Sequence, residues 1–186
     1  MERLIDLHGI ALEEFDRRVR LVRMTDWALP TPCADWDVHD LVDHLATEQL
    51  WVPPLLEGRT VEEVGDRFDG DVLGEEPLAV WEVAAREARA AWLQPSAHGR
   101  TVHLSFGDAP AQEYLWQMTF DLGVHAWDLA RALDADETLD PDLAAELYGW
   151  ARNQDLGPGS MFDAPVEVGE EAGVQERLLA LTGRAL

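Results

Sequence analysis

A chain of 186 residues with 47% hydrophobic and 27% charged residues is long enough to bury a core as a single domain without staples. Its net charge of −23, with every one of the 14 basic residues an arginine and no basic stripe, excludes phosphate backbones and anionic lipid surfaces as partners. The single cysteine, Cys33, rules out an intrachain disulfide and a cysteine-rich metal site. The opening MERLIDLHGIALEEF is amphipathic and charged; it reads as neither a signal peptide nor a membrane span, so the expected compartment is the cytoplasm. Arginine in place of all lysine, with abundant alanine, points to a high-GC bacterial source, and eight tryptophans point to a core or cleft lined with large rings.

In chain order, residues 2–27 read as a first helix, because Ile5, Leu12, Phe15, Val19 and Val22 recur at helical spacing. The run Pro30-Thr31-Pro32-Cys33-Ala34-Asp35 is a loop. A second helix starts near Asp35–Asp37, capped by an aspartate, and Pro53-Pro54 bend it before Gly58. Residues 60–74 form a connection with a short helix. Pro77–Leu93 is a third helix with proline in its first turn. Residues 100–106 alternate as an extended element, with Gly107-Asp108-Ala109-Pro110 as the turn of a hairpin. Ala111–Leu133 is a long fourth helix, apolar on more than one side, and Asp140-Pro141 opens a fifth that runs to about Arg152. A tail covers 153–186: loop to Gly173, then a helical turn or two over Val174–Leu181. The Gly157-Pro158-Gly159-Ser160 run lacks the lysine and preceding strand of a phosphate loop. This pattern argues an all-α helix bundle in one domain, 1–186.

The sharpest chemical signal lies in the fourth helix. Asp121 and His125 are four residues apart, so they stand about 40° apart around the axis, one above the other, and can converge on one ion. Asp121 sits among Met118, Phe120, Leu122 and Val124, where a carboxylate is costly unless it is paired or bound. The spacing fits an ordinary hydrogen-bonded pair equally well. His44 shares a face of the second helix with Leu41 and Leu45 and so points into the bundle. A lone histidine there is usually a core residue; together with Asp121 and His125 it makes the kind of three-ligand set used by catalytic zinc. Glu48, four residues on, is a fourth ligand, an outer acceptor or a surface charge; Asp128 either orients His125 or pairs with Arg131. His8, His39, His98 and His103 read as surface or structural. Cys33, between prolines and an acidic run, reads as a poor setting for a thiolate.

Two runs resemble a known family. Thr31-Pro32-Cys33-Ala34-Asp35-Trp36 leading into Asp43-His44-Leu45, and His125-Ala126-Trp127-Asp128-Leu129-Ala130-Arg131, are similar to the motifs of the DinB/YfiT-like metal-binding superfamily. The nearest branch is the actinobacterial one resembling the mycothiol-dependent maleylpyruvate isomerase N-terminal domain. The resemblance implies a four-helix bundle of up-down-down-up course. It implies one divalent metal, zinc or nickel, on His44, Asp121 and His125. The isomerase branch has glutamate, and many DinB-like members histidine, where this chain has Asp121, so the shorter arm draws the ion toward the fourth helix or holds it more weakly. The isomerase also carries a further C-terminal domain where this sequence has a short tail, so the bundle's chemistry is implied more firmly than isomerase activity itself.

The function that follows is a metal-dependent, mycothiol-type thiol transferase or isomerase. Its expected partners are a low-molecular-weight thiol and a small electrophile, in a monomer or homodimer, with Trp51 or Trp127 walling the pocket. The alternatives are a metal-binding or stress protein without turnover and a bundle whose motif carries no metal.

Overall fold

The computed structural model describes residues 1–154 and 162–185. The Gly157–Ser160 run lies outside these residues. Among them are seven α-helices and one antiparallel hairpin: α1 (Glu2–Val19), α2 (Val38–Leu56), α3 (Val61–Val64), α4 (Pro77–Trp92), β1 (Thr101–Leu104), β2 (Gly107–Pro110), α5 (Ala111–Ala132), α6 (Pro141–Ala151) and α7 (Val174–Leu181). The mostly helical class expected from the sequence is the one observed. No helix among the described residues is long and apolar enough to cross a membrane.

The helices sort by how much of their surface is apolar. α1 buries the stripe Leu4, Leu7, Ala11, Phe15 and Val19 at steps of three and four, and lays it along α5. α2 lays its own stripe, Val38, Leu41, Val42 and Leu45, between α4 and α5. α5 is buried on every side from Met118 to Ala130 and is therefore the central helix, with α6 leaning on it and α7 packed on α6. Any polar group on this stretch of α5 is held inside the molecule.

Caps and turns set the ends. Asp37 accepts from the Asp40 amide and Asp40 returns the bond to the Asp37 amide, a capping box that starts α2. Asp140 caps α6 with a single bond, its carboxylate accepting from the Leu143 amide. The first helix is shorter than its periodicity predicts, stopping at Val19 rather than Trp27. There the Asp26 carboxylate accepts from both the backbone and the side chain of Arg23 and closes a turn instead. Pro53 and Pro54 do not end α2, because Val52, Leu55 and Leu56 are buried and hold its last turn in place. The hairpin is real but shifted: Gly107–Pro110 is its second strand, paired with Thr101–Leu104, and the turn falls on Ser105 and Phe106.

One buried cation organises the α5–α6 connection. Arg18, fully buried on α1, donates to the carbonyls of Asp136 and Thr138 and pairs with the Glu14 carboxylate. Leaving that guanidinium uncompensated in the interior would be costly, so its bonds to the two carbonyls tie the loop before Asp140 to α1.

Close approach of α6 to α5 depends on Gly123. A Cβ at that position would lie 2.4 Å from Cδ1 of the fully buried Leu147. Gly149 in α6 meets nothing within 4 Å. Gly123→Val is expected to destabilise by about 1–3 kcal/mol through overpacking. Gly149→Ala should gain up to about 1 kcal/mol from helix propensity. Urea midpoints at unchanged m-value check both; equal effects at the two glycines would contradict the packing at Gly123.

Candidate metal centre

Asp121 lies where α5 faces α2. One carboxylate oxygen is 3.0 Å from His44 Nε2 and the other 3.3 Å from His125 Nε2. The three donor atoms lie within 4.8 Å of one another. An ion with bonds of about 2.0–2.1 Å in tetrahedral geometry spaces its ligand atoms about 3.3 Å apart, so the separations suit zinc-sized ions. The donor set, two imidazoles and one carboxylate, is also the chemistry of such a site. The structure thus brings together the three residues singled out in the sequence.

The loop before α2 closes over them. Thr31 Oγ1 donates to the Trp36 carbonyl and accepts from the Cys33 amide, while Asp35 takes a positive φ of 65° to complete the turn. This presents the Trp36 ring 4.9 Å from that of His44 and 5.9 Å from that of His125. Trp36 and Trp127 wall a cavity of about 740 Å³ with the three donors among its lining. Trp51 does not take part: it packs on Phe68.

His125 is gripped from its other nitrogen. Asp128 Oδ2 lies 2.9 Å from Nδ1, fully buried, and orients the ring as outer carboxylates do in metal sites. Asp128 does not pair with Arg131, which bridges to Glu137 instead. Its second partner is Arg184, at 2.7 and 3.1 Å, from the segment after α7. The segment after residue 153, read from the sequence only as a tail, reaches the site: Phe162, Thr182, Gly183 and Arg184 line the cavity. Cys33 also reaches the site. Its Sγ lies 3.3 Å from Asp128 Oδ2 and 3.7 Å from His125 Nδ1, beside the centre. Sequence reasoning missed Arg184 because nothing local links it to Asp128; the Thr182-Gly183-Arg184 stop after α7 was the only available signal.

The remaining histidines sit elsewhere. His8 is fully buried against Arg89 and Trp92, and burial, helped by Arg89, pushes its pKa down to about 3. His103 pairs with Asp108 across the hairpin at 2.7 Å, and His39 lies near Asp71. Both readings as structural or surface residues fit.

Electrostatics at the centre are those of a carboxylate shared by two imidazoles. Burial opposes charge on His44 and His125, but the Asp121 carboxylate beside them overrides it and raises both pKa values. Burial alone would raise Asp121; the two imidazoles hold it well below the usual carboxylate range. Asp128 is likewise held down against burial, by His125 and Arg184. Glu48, half-buried nearby, is pushed up to about 7 by burial and then by the charge of Asp121.

A helical fold carrying two histidines and a carboxylate at the floor of a cavity defines a candidate mononuclear metal protein. The chain belongs to the mycothiol maleylpyruvate isomerase N-terminal domain family, whose model matches residues 8–130 and so includes His44, Asp121 and His125. Two relatives from Mycobacterium tuberculosis, both described as uncharacterized proteins, are 31% identical over 187 residues, covering 96% of each chain. Among solved structures, the mycothiol-dependent maleylpyruvate isomerase superposes with a TM-score of 0.63 at 18% identity, over 81% of this chain and 68% of that one. Its histidine-to-alanine mutant gives 0.64 at 19% identity with the same coverage. At that identity the likeness shows a shared fold.

These shifts set how the metal-free protein responds to pH. The raised imidazoles stabilise the fold fully below 6.5, their ordinary value, and that contribution is lost as pH rises through the folded values. Asp121 is depressed, so its contribution is present above 3.8 and lost only on acidification. Glu48 is raised from 4.5, so it too withdraws stability as pH climbs, through about 7. With chelator present, the melting temperature should fall as pH rises above about 6.5, and fall less steeply in Glu48→Gln and in His44→Gln. A profile flat across neutrality, or one unchanged by both substitutions, would contradict this reading.

Proposed function

We propose that the chain binds one divalent ion, zinc or nickel, through His44, Asp121 and His125. With that ion we propose that it acts as a mycothiol-type thiol-dependent transferase or isomerase on a small electrophile. The observation that carries the reading is the convergence of His44 Nε2, both Asp121 oxygens and His125 Nε2 within a cavity of about 740 Å³. That volume suits a small substrate together with part of a thiol cosubstrate. A bound ion with an open position would stabilise a coordinated thiol as thiolate. Everything else is the work of the chain's own side chains. Asp121 supplies the anionic ligand, Asp128 keeps the lone pair of His125 on Nε2, and Trp36 and Trp127 exclude water from one side. We take the bundle's path to be the up-down-down-up course of its family. We place the protein in the cytoplasm, where thiols stay reduced.

A metal-binding protein without turnover shares the ion but not the chemistry. Two measurements separate the readings. Protein purified without added metal should contain close to one divalent ion per chain, lost in the His44→Ala/His125→Ala double variant. Chelation should lower the melting temperature while the helical circular dichroism signal persists, since a core of this size folds unaided. The loaded protein should then consume mycothiol or convert maleylpyruvate. Stoichiometric metal without either activity, across a panel of electrophiles, favours the passive reading.

Asp121 is the decisive ligand. Asp121→Asn conserves volume but removes the charge, and calorimetric titration should show a loss beyond the roughly 10–100-fold typical of outer-shell changes. Asp121→Glu keeps the charge and Asp121→His offers a nitrogen suited to zinc and nickel, so both should retain metal. Wild-type affinity in Asp121→Asn would remove Asp121 from the centre.

A further inference from the structure

His125 stands between two sets of potential ligands. On its Nε2 side are His44 and Asp121; on its Nδ1 side are Cys33 and Asp128, and each trio of donor atoms falls within 4.8 Å. A cysteine, a histidine and an aspartate make an acceptable zinc set in their own right. A neutral imidazole offers one lone pair, so an ion on one side requires a proton on the other. The fold must choose.

We propose that Arg184 makes that choice: it is the positioning residue that closes the Cys33–His125–Asp128 set to metal and commits His125 Nε2 to the Asp121 side. This inference rests on the metal centre proposed above. Arg184 grips Asp128 with two nitrogens, at 2.7 and 3.1 Å, and brings its guanidinium 3.6 Å from Cys33 Sγ. A guanidinium cannot shed its charge, so it stands as a permanent cation against the donors that would otherwise attract a divalent one. With Asp128 neutralised, its Oδ2 is left to accept the proton of His125 Nδ1 at 2.9 Å. An ion that replaces the proton on Nε2 then takes its lone pair on the side that faces Asp121.

The placement of Arg184 is built into the backbone. α7 ends in a Schellman turn: the Gly183 amide donates to the Ala180 carbonyl and the Arg184 amide to that of Leu179. Gly183 takes φ +80°, and a Cβ there would lie 2.4 Å from Cβ of Asp163, so only glycine allows the turn. The side chain is held by the Thr182 carbonyl at 2.7 Å and lies over the Phe162 ring. Arg184 falls outside the 8–130 span of the family match, so the part of the chain that guards the centre is not the part that carries the motif.

Cobalt(II) titration into metal-free protein tests the proposal, because cobalt bound to a thiolate gives a sulfur-to-metal charge-transfer band that nitrogen and oxygen ligands do not. Wild type should bind one cobalt without the band, and His44→Ala should abolish that binding. Arg184→Ala should lose roughly 10–100-fold in affinity for the ion, the scale of outer-shell changes, and should gain the band. Adding Cys33→Ser to Arg184→Ala should remove the band again. Arg184→Lys keeps the charge without the fork, so it should show no band but bind more weakly than wild type. If Arg184→Ala does not fold, Arg184→Lys decides, and unchanged affinity there overturns the proposal. One cobalt in wild type, with Arg184→Ala indistinguishable from it, overturns the role of Arg184 alone. No cobalt in wild type, or binding that His44→Ala leaves intact, overturns the metal centre and the proposal together.

Discussion

Burying the Asp121 carboxylate inside α5 is unfavourable by several kcal/mol unless charge of the opposite sign meets it. The rest of the centre meets that requirement. His44 reaches it from α2 and His125 from one turn along α5, each on a different oxygen. In the metal-free protein, protons held on the imidazoles balance the carboxylate; a divalent ion at the same point would do so without them. The same three side chains therefore join α2 to α5 and form the floor of the cavity, so the stability of the bundle and the affinity of the site are linked through one carboxylate.

A second carboxylate repeats the arrangement one layer out. Asp128 is fully buried, and its charge is met by His125 on one side and Arg184 on the other. The chain Asp121–His125–Asp128–Arg184 alternates in charge across the interior, beginning in α5 and ending in the segment after α7. In a molecule of net charge −23 acidic side chains abound on the surface, yet among the described residues the ion pair of Arg184 is with the buried Asp128. The C-terminal segment thus belongs to the site both in lining and in electrostatics.

The loop before α2 contributes the wall. Its signature residues have separable tasks: the Thr31 hydroxyl fixes the turn, Trp36 covers both imidazoles, and Cys33 is carried to the outer carboxylate. Resemblance to a family motif in this run is accounted for by geometry, since each named residue either makes the turn or touches the centre.

Local physics decided much of this protein in its sequence alone. Helical periodicity marked α2, α4, α5 and α6 to within a few residues, the aspartates at 37 and 140 marked the starts of α2 and α6, and the four-residue spacing of Asp121 and His125 placed both on one face. Where a local competitor existed, periodicity misled: the Arg23–Asp26 turn cut the first helix short, and the hairpin turn moved by two residues. The choice between a paired Asp121–His125 and a ligand set also exceeded local information, since His44 meets Asp121 across 77 residues. Cys33 and Arg184 lay furthest out of reach. They meet Asp128 across 95 and 56 residues, through a loop fold and a glycine-dependent helix stop whose directions are set by packing. Spacing along one helix follows from 3.6 residues per turn, but the meeting of a loop, a central helix and a returning segment exists only once the core has formed.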